Sequence, residues 1–202
     1  MNVERREGRL FAFEGLDGSG KSTQLALLAA ALISEGYRVV ATREPTDGPY
    51  GRRIRQLLSN RAELSHEEEL DLFMADRRQH VDSLVKPALL EGKIVLTDRY
   101  YLSTAAYQGA LGYDPEAILK ANEAFAPPPD LCFYLTVPVH TGLSRIIEGR
   151  GERPNDFEKE SNLQKVQEVF ARLRRSFIHR VDGGRSIAEV HAEILALAHT
   201  VL

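Results

Sequence analysis

The sequence predicts an α/β protein, with a mainly parallel five-stranded sheet and helices on both of its faces. Short apolar runs alternate with longer segments of helical periodicity from one end of the chain to the other. A glycine-rich run ending in Gly20-Lys21-Ser22 joins the first apolar run to the first helical pattern. Helix-capping pairs open several later patterns.

Leu10 to Glu14 forms the first expected strand, and Leu25, Leu28 and Leu32 mark a helix from Lys21 that stops at Gly36, a residue suited to a left-handed cap. Arg38 to Thr42 is the second strand. Ser65 with Glu68 reads as a capping box opening a long helix that runs towards Pro87. Ile94 to Asp98 is the third strand, and Arg99 to Gly112 is expected to begin as a loop and end in a short helix. Asp114-Pro115 starts another helix, because Asp caps well and Pro is tolerated at the first helical position. Asp130 to Val137 is the fourth strand, followed by a helix from about Val139 to Glu148. Ser161 with Gln164 and Ser186 with Glu189 supply two further capping boxes around a short fifth strand, Ile178 to Val181. The charged stretch from Gly149 to Glu160 has little apolar content and reads as a mobile flap.

The 202 residues, 43% hydrophobic and 27% charged, are enough for a substantial core, and one domain spanning 1–202 is expected because no repeat or linker interrupts the pattern. A net charge of -3 argues against a general nucleic-acid binder, so any anion site must be local. Cys132, the single cysteine, lies in an apolar strand and reads as a buried small hydrophobe. The first residues lack a secretion signal's apolar core and no segment approaches the roughly 18 apolar residues needed to span a bilayer, so a cytoplasmic setting without membrane attachment is expected.

Gly15-Leu16-Asp17-Gly18-Ser19-Gly20-Lys21-Ser22 fits G-x-x-x-x-G-K-[ST] in the strand–turn–helix context that a phosphate-binding loop requires. Inward-facing backbone N–H groups and the following helix N-terminus would cradle a triphosphate. Residues 15–22 together with Thr23 are the expected ATP contacts, with Lys21 on the β- and γ-phosphates and Ser22 on Mg²⁺. Asp98, closing its strand, is the second candidate for the metal, and no Asn-Lys-x-Asp guanine-reading motif supports a GTPase switch. The histidines show no metal-ligand spacing.

Arg99 follows an apolar strand, at the carboxyl end where ligands bind in open α/β sheets, and can either fork an acceptor phosphate or pair with Asp98. Phe73 and Arg77 are four apart on a helix and share a face, offering either a stacking ring beside a donor or ordinary core and surface residues.

Leu96-Thr97-Asp98-Arg99-Tyr100-Tyr101-Leu102-Ser103-Thr104-Ala105-Ala106-Tyr107-Gln108, Thr42-Arg43-Glu44-Pro45 and Phe73-Met74-Ala75-Asp76-Arg77 stand in the order of three acceptor-site motifs. With the phosphate loop, they make the chain resemble the thymidylate kinase family from Leu10 to about Leu197. The resemblance implies a P-loop kinase fold, phosphoryl transfer from ATP to dTMP with Mg²⁺, and a homodimer packed through helices. It implies that Phe73 stacks on thymine and Arg77 approaches the base edge. Arg43, Glu44 and Pro45 contribute to the acceptor site, Ser103, Thr104 and Gln108 line the pyrimidine pocket, and Tyr107 closes the sugar pocket. Asp17 would approach the 3′-hydroxyl. By residue chemistry alone, Tyr107 reads equally as a packed tyrosine.

The loop carries no arginine between Asp17 and Ser19, whereas Arg145, Arg150 and Arg153 crowd into the flap and its approach. This resembles the family branch whose catalytic arginine comes from a lid, about 149–160 here. Asn155 and Asp156 precede Phe157 where the family often has Asp-Arg-Phe-Glu, so Arg150, between Gly149 and Gly151, is the expected transition-state contact and Arg153 a supporting one. The competing functions are another nucleoside monophosphate or deoxynucleoside kinase, and a nucleotide-binding switch protein.

Overall fold

A computed structural model describes residues 7–58, 65–150 and 160–202. Its strands are β1 Arg9–Glu14, β2 Val39–Arg43, β3 Ile94–Asp98, β4 Leu131–Thr136 and β5 Ile178–Asp182. All pair in parallel in the order β2-β3-β1-β4-β5, so the mainly parallel sheet expected is wholly parallel. β1 runs between β3 and β4, and the chain order reverses beside it. The carboxyl ends of β1 and β3 therefore open onto the switch point of the sheet, the usual ligand crevice of such folds.

Alternation along the strands divides the core. Leu10 and Ala12 face one layer with Val95, Tyr134, Tyr101 and Phe170, whereas Phe11 and Phe13 face the other with Leu96, Phe133 and Leu135. The second layer is closed by α1 (Lys21–Ser34), through Leu25, Leu28 and Leu32, and by α9 (Ile187–His199), through Val190, Ile194 and Ala198. Cys132 is buried in the first layer.

Helices depart from the sequence expectation at four places. A helix α2, Pro49–Leu58, occupies a stretch given no element; it buries Ile54 and Leu57 while Arg52 and Arg53 stay exposed. The Ser65–Glu68 capping box does open α3, His66–His80, but the helical path does not stop before Pro87. A π turn, Val81–Val85, leads into α4, Lys86–Leu90, which places Pro87 in a first turn, where a missing N–H is tolerated. Only Arg99 and Tyr100 separate β3 from α5, Tyr101–Ala110, where a longer loop was expected. α6, Pro115–Glu123, starts at the Asp114 cap as expected, and α7 spans Val139–Arg150. α8, Glu160–Arg172, already contains Ser161, so the Ser161–Gln164 pair does not start it, whereas Ser186 and Glu189 form a full capping box on α9. Among the described residues no helix is long and apolar enough to cross a membrane.

Candidate active site

The loop between β1 and α1 follows a path that side chains would obstruct. Gly15 takes φ 136°, and a Cβ there would lie 2.4 Å from the Leu135 carbonyl oxygen; Gly18 takes φ 76°, and its Cβ would lie 2.2 Å from that of Gly142. Lys21 is buried beneath the loop, its Nζ donating to the Leu16 carbonyl at 2.9 Å and lying 3.9 Å from Asp17. Burial, followed by the nearby Arg99 charge, pulls its pKa down to about 8 against the opposing pull of Asp17, Asp98 and Glu14. The loop residues Asp17 to Thr23 wall a cavity of about 400 Å³, closed on its far side by Arg145, Gly183 and Arg185. Gly15 and Leu16 are not among its walls, and the buried Ser19 hydroxyl has no partner among the described residues. Ser22 stays exposed and donates its hydroxyl to Asp98 Oδ2 at 2.5 Å.

A second cavity, of about 120 Å³, opens on the other side of Asp17. Its walls contain Glu44, Pro45, Phe73, Arg77, Arg99, Ser103, Thr104, Tyr107 and Gln108, and also Glu69 and Tyr100. Of the residues expected at the acceptor site, Arg43 is the one the structure sets apart: it is exposed, pairs with Asp47 at 3.0 Å, and lines another cavity of about 660 Å³ with Ser22 and Asp98. Arg99 pairs with Asp17 at 2.9 Å, and Asp98 bonds to Ser22 instead. From a left-handed backbone, φ 70°, Arg99 also donates to Ser103 Oγ at 2.7 Å and lies 5.2 Å over the Tyr107 ring. Burial pushes the Tyr107 phenol up to about 12, so it stays protonated.

The loop cavity and the smaller second cavity thus share Asp17. A family model described as thymidylate kinase matches residues 13–194. The chain belongs to the thymidylate kinase family. The thymidylate kinase of Desulfotalea psychrophila is 53% identical over 193 residues, covering 96% of this chain and 95% of that protein. That of Akkermansia muciniphila is 47% identical, covering 94% and 90%, and that of Xanthomonas campestris 44%, covering 94% and 84%.

Within this family member, several polar residues that the sequence did not single out hold the site together. Phe13 stands opposite Asp98 in the sheet, so Glu14 leaves β1 beside Arg99. The fully buried Glu14 accepts the backbone N–H groups of Tyr100 at 2.9 Å and Ser103 at 3.0 Å, and the Ser103 hydroxyl. These are the two ends of the first turn of α5, so a carboxylate remote in sequence does the work of a capping box, while Tyr100 offers no side-chain cap of its own. Burial raises the Glu14 carboxyl to about 7 although the Ser103 hydrogen bonds and Arg99 pull the other way.

Beneath the second cavity, Glu44 accepts from Arg77 at 2.9 and 2.6 Å and bonds to His80 Nδ1 at 2.9 Å, while Arg77 reaches Asn122 at 2.8 Å and Thr104 at 3.0 Å. Burial pushes the Glu44 carboxyl up, but the Arg77 charge and the hydrogen bond from His80 outweigh it and hold the group below its ordinary range. The ionised carboxylate requires His80 Nδ1 to carry a proton, which leaves Nε2 facing the Thr42 hydroxyl at 2.8 Å. No histidine joins a metal-binding group among the described residues. Of the arginines expected near the flap, Arg145 donates to the carbonyls of Gly18 at 3.3 Å and Gly183 at 3.1 Å. Arg153, the Arg150 side chain and the 151–159 part of the expected lid lie outside the described residues.

Two titrations test this geometry. A triphosphate favours charged Lys21, so binding of a non-hydrolysable ATP analogue at pH 8 takes up a fraction of a proton. Calorimetry in buffers of different ionisation enthalpy should show that uptake in the wild type and less of it in Lys21→Met; equal uptake in both contradicts the assignment. Glu14, raised above its ordinary 4.5, favours folding below that value and loses this contribution as pH rises through about 7. The difference in Tm between Glu14→Gln and wild type should therefore shift in favour of the variant from pH 4.5 to 7.5, and a constant difference would refute the buried carboxyl's role.

Proposed function

We propose that this chain transfers the γ-phosphoryl group of ATP to dTMP, giving dTDP and ADP, with the loop cavity holding the donor and the smaller cavity the acceptor. The observation that carries this reading is that Asp17 belongs to both walls and is paired with Arg99, so the two substrates would meet at one point. Lys21 neutralises the β- and γ-phosphates, exchanging its contacts with the Leu16 carbonyl and Asp17 for phosphate oxygens. Arg99 forks the acceptor phosphate, Tyr107 packs against the sugar, Asp17 meets the 3′-hydroxyl, and Phe73 stacks on the base between Arg77 and Gln108. Glu44 and Pro45 form the floor, and Arg43 at the cavity's edge contributes charge from outside it. Arg150 and Arg153 complete the positive charge around the transferred group, Arg150 at the transition state and Arg153 in support.

No side chain is needed as a base, because a phosphate monoester with a second pKa near ~6 is already largely dianionic at neutral pH. Ser22 and Asp98 are the residues that would hold Mg²⁺. A hydroxyl and a carboxylate oxygen in contact suit an ion that keeps several waters and takes the rest of its ligands from phosphates. Bound there, Mg²⁺ would neutralise developing charge on the phosphate oxygens. The same reading puts the enzyme in the cytoplasm, where both nucleotides are at hand, and in a homodimer packed through helices, as the family resemblance implies.

A coupled assay of ADP release tests the reading against other monophosphate kinases and against a switch protein. Release should require both Mg²⁺ and dTMP, with dTMP giving the highest kcat/KM among common monophosphates. Arg99→Ala should raise KM for dTMP while leaving affinity for an ATP analogue within about twofold, as expected when one fork on a phosphate is lost. A higher kcat/KM with AMP, CMP or GMP, or hydrolysis indifferent to every monophosphate, rejects the assignment.

A further inference from the structure

We infer that Glu69 is a positioning residue that locks the amide of Gln108 with its carbonyl oxygen towards the acceptor cavity, so that the site selects a base presenting a ring N–H at that edge. The inference rests on the acceptor reading above. Gln108 is fully buried on α5, one turn after Thr104, and its Nε2 donates to Glu69 Oε1 at 2.8 Å. Its Oε1 is buried and has no hydrogen-bond partner among the described residues. Both residues line the 120 Å³ cavity.

A glutamine amide can ordinarily turn over, exchanging a donor for an acceptor, and only its neighbours decide which face it shows. An ionised carboxylate decides firmly, because it has no proton to give. A turned amide would set its oxygen against Glu69 Oε1 at the same short distance, oxygen against oxygen. Glu69 therefore holds the NH₂ group, and the remaining oxygen is a desolvated acceptor that a ligand donor would satisfy.

The rest of the cavity supplies the complementary group. Glu69, Phe73 and Arg77 follow one another at intervals of four along α3 and so lie in one row, giving the orienting carboxylate, an apolar ring and a donor in sequence. Arg77 can only donate, and its contact with Thr104, one turn from Gln108 on α5, brings donor and acceptor side by side. Such a pair fits an imide edge, a ring N–H beside a carbonyl, as in thymine or uracil. Cytosine presents the reverse, an unprotonated nitrogen towards the Gln108 oxygen and an amino group towards Arg77.

The test measures KM and kcat for dTMP, dUMP and dCMP in the wild type, in Glu69→Gln and in both on a Gln108→Ala background, with each variant's folding checked by thermal denaturation. Glu69→Gln keeps the shape but can donate, so the Gln108 amide is free to turn. KM for dTMP and dUMP should rise together by about tenfold, the effect of one misoriented hydrogen bond, with kcat for dTMP little changed. The dTMP:dCMP preference in kcat/KM should fall by a similar factor while dTMP:dUMP stays constant. On the Gln108→Ala background Glu69→Gln should have no further effect on the preference. Glu69→Ala, which frees the amide without offering it a donor, should give a smaller fall in the same direction and serves if Glu69→Gln does not fold. An unchanged dTMP:dCMP preference in a folded Glu69 variant, or the same fall persisting without Gln108, overturns the inference. A wild type that turns over another monophosphate but not dTMP instead overturns the acceptor reading, and the inference with it.

Discussion

The ion pair between Asp17 and Arg99 is the contact on which the rest of the site depends. It joins the phosphate loop after β1 to the end of β3. Arg99 reaches it only because a single residue turns the chain out of the strand at positive φ, with its N–H on the Phe13 carbonyl and its own carbonyl accepting from Thr97 Oγ1 at 2.8 Å. That conformation is costly for a residue with a Cβ and persists only where surrounding bonds over-determine it. Glu14 adds to that restraint, fixing the start of α5 and, through Ser103, the second arm of the guanidinium. Positive charge is thus gathered at the switch point before any ligand arrives, with carboxylates holding places that phosphates would take.

The acceptor side follows a different principle, in which a buried ionic network sets the shape. Glu44, Arg77 and His80 are all almost fully buried, and a buried ion pair repays its desolvation only when its other hydrogen-bonding capacity is used. Here it is largely used: Arg77 bonds to Glu44, Thr104 and Asn122, and Glu44 bonds to both Arg77 and His80. Removing either Glu44 or Arg77 would leave the other's buried charge unpaired, a loss of about 3–5 kcal/mol in comparable cases. The network therefore ties α3, α5 and α6 to the end of β2, beside the cavity that Glu69 and Gln108 line.

Much of what is local was legible in the sequence. The five strands, the phosphate loop, the Asp114 cap and the Ser65 and Ser186 capping boxes depend on neighbours a few residues apart. α2 escaped notice because no capping signal introduces Pro49, and Arg55 instead secures the helix by reaching back to the carbonyls of Pro45 and Thr46. The start of α5 was hidden because its cap, Glu14, lies 86 residues away in sequence from Tyr100. The capping pattern at Ser161 was present but fell within a helix already under way. The family motifs marked residues that line the second cavity, but Glu69 and His80, which bond to Gln108 and Glu44, carry no motif that distinguishes them from a solvated glutamate and a core histidine. A charged residue ending an otherwise apolar strand, as Glu14 does, was the one available hint.

In the proposed mechanism Asp17 serves the acceptor although it belongs to the loop that holds ATP. Steady-state kinetics of Asp17→Asn, combined with calorimetric titration of an ATP analogue, measures this directly. Replacing the charged partner of Arg99 with a neutral one should raise KM for dTMP by roughly tenfold or more and lower kcat, with affinity for the ATP analogue unchanged or slightly improved as negative charge leaves the loop. Weakened binding of the analogue, together with an unaltered KM for dTMP, would contradict it.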